Sequence, residues 1–423
     1  MYSNIMKKML HISYLAFALV SLSYMCSCTS DMSDVVDGVI IFDSSKEYPH
    51  IDLKLSDLAD VTFIPLGGED SVNFLTYSCH LPESTYIDSC RIIMGDVSPW
   101  NDIVSKSSKS IYFFDLSGKF EKSMGIWNKR TSSFPCYQYM AVLPSQEKII
   151  TYSIGYEPVK MIEFSFDGDV KVAEHLEKSY LPSVMNDKLV LFDPYYKLES
   201  HPDFHIGRAL DVYDMEKGFI RDFEDLDAGN YKLARADAGS GMYSTNAKTY
   251  ITNCRTDKVY ALDTNYKITV AFDCVYKNKE YPNDHNIVYP LIETDEYILF
   301  CNAMDGYSEK AKRYKYSNWL FMKEEGKIYH VSDLDLGDFR FHISSTPCVN
   351  YCNKRLLQDK ISFSTYNKTL NSDKLVSVMD IEFLKDNIDI LPEHLQKVLE
   401  SKSSEDNPVL MVMKFGKSLK PQI

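Results

Sequence analysis

His201-Pro-Asp-Phe-His205 sets two imidazoles around the Asp203 carboxylate, a trio that suits a divalent cation if a loop gathers it. Pro202 fixes the backbone between them and no third histidine stands nearby, so the segment reads as a solvated loop and no metal is expected. Asp333-Leu-Asp-Leu-Gly-Asp338 offers three carboxylates but lacks the twelve-residue layout of a calcium loop, and it reads as a turn. Asp96, Glu293 and Asp305 would work as general acid and base only if the fold brought them to a common point. A different chemistry is offered by Trp127, Arg130, Tyr137 and Tyr139, whose flat, polar-tipped side chains suit stacking on a sugar or contact with another protein. They are the preferred ligand-binding candidates in a chain with 30 tyrosines, most of which are expected simply because strands favour aromatic residues.

Catalytic signatures are missing. Gly239-Ser-Gly241 has the wrong spacing for a nucleophile elbow, and there is no phosphate loop, dinucleotide fingerprint or His-Glu-x-x-His. No cofactor is expected. The chain holds 46 Lys+Arg against 60 Asp+Glu, a formal charge of −14, without a basic block, which excludes the phosphate-neutralising surface that nucleic acid demands.

The N-terminus carries an address. Lys7 and Lys8 precede an apolar run from Met9 to Val20, too short to span a bilayer and suited to an export signal. Ser23-Tyr-Met-Cys-Ser-Cys28-Thr resembles the lipobox of Gram-negative bacterial lipoproteins; the small Ser27 makes Cys28 the acceptor, although Met25 stands where leucine is usual. Residues 1–27 are therefore expected to be a signal peptide, 28–38 a flexible tether, and lipid on Cys28 the membrane anchor. Losing that signal removes two lysines and no acid, so acyl chains rather than charge would hold the protein to a membrane. Eight further cysteines show no framework spacing, and buried free thiols are the expectation for most.

The elements that must position these residues repeat. Ile111–Phe120, Met161–Val170, Leu210–Phe219, Val259–Ile268 and Trp319–Tyr329 each read as strand, polar turn, strand. Their turn positions Asp115, Asp167, Asp214, Asp263 and Lys323 recur at 52, 47, 49 and 60 residues. Such a period, built from strands, predicts an all-β fold, a six-bladed β-propeller with seven as the alternative count, forming one domain over residues 39–423. Lys148–Ser153, Lys188–Phe192, Thr249–Thr252 and Tyr297–Phe300 are expected as inner strands. A sixth blade needs both ends of the chain, with Val39–Phe42 or Val61–Ile64 pairing with Val409–Phe415. One helix is expected near the C-terminus, from Leu391, Leu395, Val398 and Leu399.

Three segments resemble the six-bladed β-propeller lipoproteins of gut-type Gram-negative bacteria, a family of largely unknown function. Leu55-Ser-Asp-Leu-Ala-Asp-Val-Thr-Phe-Ile-Pro-Leu66 is similar to the family's LSDIAEVEYIPLE, Val259-Tyr-Ala-Leu262 with Val270-Ala-Phe-Asp273 to VYRI…YVIDFG, and Glu405–Phe415 to DDNPVL…KF. Where the family has GRGPGEY, this chain has Gly125-Ile-Trp-Asn-Lys-Arg-Thr-Ser-Ser-Phe-Pro-Cys-Tyr-Gln-Tyr139, so any site formed there in relatives is altered here. The resemblance implies the fold and an exported, lipid-anchored protein, and carries over no catalytic residue. The expected role is a binding or scaffold module in the periplasm or on the cell surface, with a glycan, peptide or envelope protein as partner. The alternative is a glycan hydrolase or lyase with its site in the central channel.

Overall fold

The computed structural model describes residues 33–43, 45–67, 85–95, 110–125, 137–153, 159–176, 181–193, 209–223, 241–245, 247–252, 258–275, 287–308, 313–331, 334–336, 339–344, 361–364, 373–379, 381–386, 388–391, 393–403 and 406–419. The local rule that shapes it is visible in Lys188-Leu-Val-Leu-Phe192, where four successive apolar residues are each at most 1% exposed. Alternate side chains of a strand point to opposite faces, so a run this apolar must be covered on both. Leu189 and Leu191 pack with Ala141, Ile150 and Met161 on one side, while Val190 and Phe192 pack with Met242, Ile251 and Tyr260 on the other. Each such side chain contributes about 1.5–3 kcal/mol on burial, and only a sheet sandwiched between two other sheets collects that on both faces.

Repeating this packing around a ring gives six blades. Blade 1 contains Thr85–Ile87, Arg91–Gly95, Ser110–Asp115 and Phe120–Gly125. Blade 2 contains Tyr137–Leu143, Lys148–Ser153, Val159–Ser165 and Val170–Leu176. Blade 3 contains Leu181–Met185, Lys188–Phe192, Leu210–Asp214 and Gly218–Phe223. Blade 4 contains Gly241–Ser244, Lys248–Thr252, Lys258–Asp263 and Ile268–Val275. Blade 5 contains Ile287–Glu293, Tyr297–Ser308, Arg313–Met322 and Lys327–Val331. Within each of these blades consecutive strands pair antiparallel in chain order. The five predicted hairpins are the third and fourth strands of blades 1 to 5. The runs expected to be inner strands, such as Lys148–Ser153 and Lys188–Phe192, are second strands, with Tyr137–Leu143 and Leu181–Met185 inside them.

Blade 6 is assembled from distant parts of the chain. Val409–Phe415 pairs antiparallel with Lys374–Met379 on one side and with Ala59–Pro65 on the other, with Met413 opposite Val61 and Leu410 opposite Ile64. Val39–Asp43, the other predicted partner of that strand, adds instead in parallel to the outer edge of blade 4, placing Ile40 opposite Phe272 and Asp43 opposite Val275. His50–Ile51 then adds in parallel to blade 5 at His330 and Val331. The N-terminal segment thus crosses blades 4, 5 and 6 in turn. Phe42 is fully buried in that crossing, against Trp319, Phe300 and Tyr48 at ring separations of 5.1, 5.5 and 5.8 Å. The predicted tether is already bonded into the fold from Ser33 onward: Val35–Val36 pairs with Val39–Ile40, and buried Asp34 accepts a bond from the Ile328 amide at 2.8 Å and pairs with Lys46.

Three α-helices are described, α1 (Leu55–Leu58), α2 (Ile381–Asp386) and α3 (Glu393–Glu400). The last is the predicted C-terminal helix, and its Leu395 and Leu399 are buried in the core that joins blades 5 and 6. Among the described residues no helix is long and apolar enough to cross a membrane.

Candidate functional site

Alternation of strand direction gives the ring two unlike ends. The turns between first and second and between third and fourth strands of blades 1 to 5 are tight, none longer than four residues. Their chemistry is side-chain capping: Asp115 Oδ1 accepts from the Ser117 and Lys119 amides at 2.8 and 3.0 Å, and Asp214 and Asp263 repeat the arrangement. Hydrogen bonding to Ser117 holds the Asp115 carboxyl below its usual range. The opposite end receives the longer connections, 96–109, 126–136, 194–208, 224–240 and 276–286.

Of the aromatic candidates, Tyr137 and Tyr139 belong to that second end. Tyr137 and Tyr139 lie in the first strand of blade 2, opposite Ser153 and Tyr152, and the 126–136 connection that carries Trp127 and Arg130 leads directly into it. Trp127 and Arg130 fall outside the described residues, as do Cys28 and the His201, Asp203, His205 trio.

Glu293 ends the first strand of blade 5 at the tight-turn end, whereas Asp305 lies far along the next strand, toward the other end; Asp96 falls outside the described residues. Glu293 and Asp305 do not converge. Glu293 is held in a lock between blades 4 and 5. Its Oε1 receives Lys248 Nζ at 2.9 Å and Lys323 Nζ at 2.8 Å, and its Oε2 accepts from the Tyr250 hydroxyl at 3.1 Å. Its amide donates to the Tyr243 hydroxyl at 2.8 Å. Burial pushes this carboxyl up, but the two ammonium groups outweigh it and keep it below the ordinary glutamate range. Burial, reinforced by the Glu293 charge, raises the Tyr250 phenol. A carboxylate clamped in its ionised form joins blades and is a poor proton donor near neutral pH.

The tight-turn end repeats this compensation. The second strand opens on Arg91, Lys148, Lys188 and Lys248 in blades 1 to 4, and Lys374 opens its strand in blade 6. Arg91, Lys148, Lys248 and Lys374 are paired with Asp88, Glu163, Glu293 and Asp373 at 3.8, 3.1, 2.9 and 2.9 Å. Sequence reading missed these pairs because the partners of Lys148 and Lys248 are distant in the chain.

It also missed two groups of buried polar residues. Ser183 of blade 3 bonds Ser244 of blade 4, which in turn lies 2.6 Å from Thr249 Oγ1, a buried hydroxyl relay between innermost and second strands. Asp193 and Asp211 are fully buried on the side of blade 3 that faces blade 2, since Leu191 stands opposite Asp211 and the Asp193 amide bonds the Ala209 carbonyl at 3.0 Å. Among the described residues no group of three or more His, Cys, Asp or Glu side chains is placed to hold a metal, and Cys90, Cys274 and Cys301 stand outside any disulfide.

Fold and site together define a six-bladed β-propeller with one end of tight capped turns and one of long connections. A structure from Bacteroides fragilis, described as an exported protein, matches with a TM-score of 0.58 at 16% identity, over 90% of this chain and all of its own. TolB from Acinetobacter baumannii matches at a TM-score of 0.37 and 12% identity, over 77% of this chain and 64% of its own. A Bacteroides thetaiotaomicron protein of unknown function matches at 0.37 and 6%, over 84% and 76%. The first of these likenesses speaks for the fold alone, and the other two are too loose to carry argument. No protein-family model matches the chain, and no curated protein matches it.

Proposed function

We propose that the protein is an exported, lipid-anchored binding or scaffold module that offers the long-connection end of its propeller to a glycan, a peptide or an envelope protein. The observation that carries this reading is the contrast between the two ends of the ring. One is closed by short turns and holds charges paired within the fold, as Glu293 is with Lys248 and Lys323. The other receives the strand that opens on Tyr137 and Tyr139, with Trp127 and Arg130 just before it in the sequence, on a scaffold whose second strands are buried on both faces. A rigid ring that displays variable connections from one end is the arrangement by which scaffolds carry recognition. Acylation of Cys28 supplies the anchor in this reading.

Two measurements test it. Glycan arrays and pull-downs with the wild type, Trp127→Ala and Tyr137→Ala are expected to show binding that each variant weakens about tenfold or more, about 1.4 kcal/mol; unchanged binding in both removes this segment from the site. Mass spectrometry of membrane-associated protein is expected to find an N-terminus at Cys28 carrying acyl chains, and any other N-terminus, or a bare cysteine, ends the anchor reading.

A further inference from the structure

The chain joins the propeller at a tight turn. The Asp34 amide and the Ser33 hydroxyl both donate to the carbonyl of Gly326, at 2.7 and 3.1 Å, and Gly326 closes the hairpin between the third and fourth strands of blade 5. The approach is close enough that a Cβ on Gly326 would sit 2.5 Å from Ser33 Oγ. Four residues lie between Cys28 and Ser33, five residue steps that span about 17 Å when fully extended. A seven-residue blade strand such as Tyr137–Leu143 is about 20 Å long. A lipid on Cys28 therefore lacks the slack to turn the ring over.

A second observation marks the same end. The exposed large apolar side chains among the described residues are Val36, Leu116, Val170, Phe219 and Val275, of which Val275 ends the fourth strand of blade 4 at the opposite end. Leu116, Val170 and Phe219 sit at the tight third-to-fourth-strand hairpins of blades 1, 2 and 3. Each has an exposed lysine within three residues: Lys119, Lys171 and Lys217. Apolar side chains flanked by exposed lysines suit the boundary between acyl chains and head groups. Asp167, Asp169 and Glu216 lie exposed among them and keep the local charge balanced, so contact area and the acyl anchor, rather than net charge, would hold this end down.

We infer that the tight-turn end of the propeller rests on the lipid bilayer, with Leu116, Val170 and Phe219 at its interface, and that the long-connection end faces away. This rests on the lipid-anchor reading above. It predicts which end a partner meets, and it explains apolar exposure on three successive hairpins.

The test uses the full acylated chain in phosphatidylcholine–phosphatidylglycerol vesicles containing a photoactivatable phospholipid, with cross-linked peptides mapped by mass spectrometry. Cross-links are expected in peptides spanning 116–119, 170–171 and 217–219, and they should be lost from the latter two in a Val170→Asp/Phe219→Asp variant that keeps its acyl group. Cross-links confined to peptides of the opposite end, or to the acylated N-terminal peptide alone, overturn the orientation while leaving the anchor intact. Absence of the acyl group in the same spectra defeats the anchor reading instead, and the orientation falls with it.

Discussion

Gly118 rests on Pro65: a Cβ at Gly118 would stand 2.2 Å from the Pro65 carbonyl oxygen. The contact joins a tight turn of blade 1 to the N-terminal strand that serves blade 6, and it is completed by a bond from the Gly67 amide to the Gly118 carbonyl at 3.0 Å and from the Phe120 amide to Gly67 at 2.8 Å. Two blades that share no strand are thereby fastened by backbone contacts as well as by the side-chain core that Ile92, Phe114, Ile64 and Leu410 share between them. Gly118 also has φ +85°, a conformation that costs other residues about 1–2 kcal/mol. Gly118→Ala is expected to lower stability by about 2–4 kcal/mol, that strain plus the collision with the carbonyl. Urea unfolding followed by tryptophan fluorescence would read it, and a loss below about 0.5 kcal/mol would contradict the contact.

Glu293 makes the stability of the ring depend on pH. Its folded-state carboxyl is held below the ordinary value of 4.5, so its contribution is complete above that value and fades as the pH falls through the folded-state value. Glu293→Gln is expected to cost about 1.5–3 kcal/mol at pH 7, the range for hydrogen bonds to charged groups, because Lys248 and Lys323 lose their shared anionic partner. The gap between wild type and variant should narrow in urea titrations repeated below pH 4.5. A gap that stays constant down to pH 3 would mean that the carboxylate contributes no charge-dependent stability.

Phe42 is the fastening of the N-terminal crossing. With no exposure and rings of Trp319, Phe300 and Tyr48 around it, Phe42→Ala leaves a cavity between blades 4 and 5, for which about 3–5 kcal/mol is expected. Thermal unfolding should shift down accordingly. Retention of the wild-type midpoint would show that residues 33–51 are dispensable to the ring.

What was legible in the sequence is what is local. Asp115, Asp214 and Asp263 announce their hairpins because an aspartate caps the turn that follows it, whatever the rest of the chain does. At blade 2 the same logic slipped by two residues: Ser165, whose hydroxyl accepts from the Asp169 amide at 3.0 Å, holds the capping position assigned to Asp167. The innermost strands Leu181–Met185 and Ile287–Glu293 were illegible because each contains a proline, Pro182 and Pro290, which argues against a strand unless that strand is an edge. The parallel additions at Phe272–Val275 and His330–Val331 leave no local signal at all, and Glu293 looked isolated because its lysines are brought to it by the packing of two blades.

The C-terminal strand carries the heaviest prediction. Val409–Phe415 is the middle strand of its sheet, hydrogen-bonded on both sides, so its removal would expose the edges of Lys374–Met379 and Ala59–Pro65 together. Val409, Leu410, Met411 and Met413 are all fully buried, and at about 1.5–3 kcal/mol each their burial contributes about 6–12 kcal/mol. That equals the whole net stability of an ordinary domain, about 5–15 kcal/mol. A chain ending at Pro408 is therefore expected to lose cooperative unfolding altogether, not to shift its midpoint. The point variant Met411→Asp separates this from a general truncation effect: it keeps every backbone bond of the strand but buries a charge between blades, and it too should abolish the folded state. If the truncated chain still unfolds in one sharp transition, the ring does not depend on pairing its two chain ends, and the strands of blades 1 to 5 must hold the circle by face-to-face packing alone.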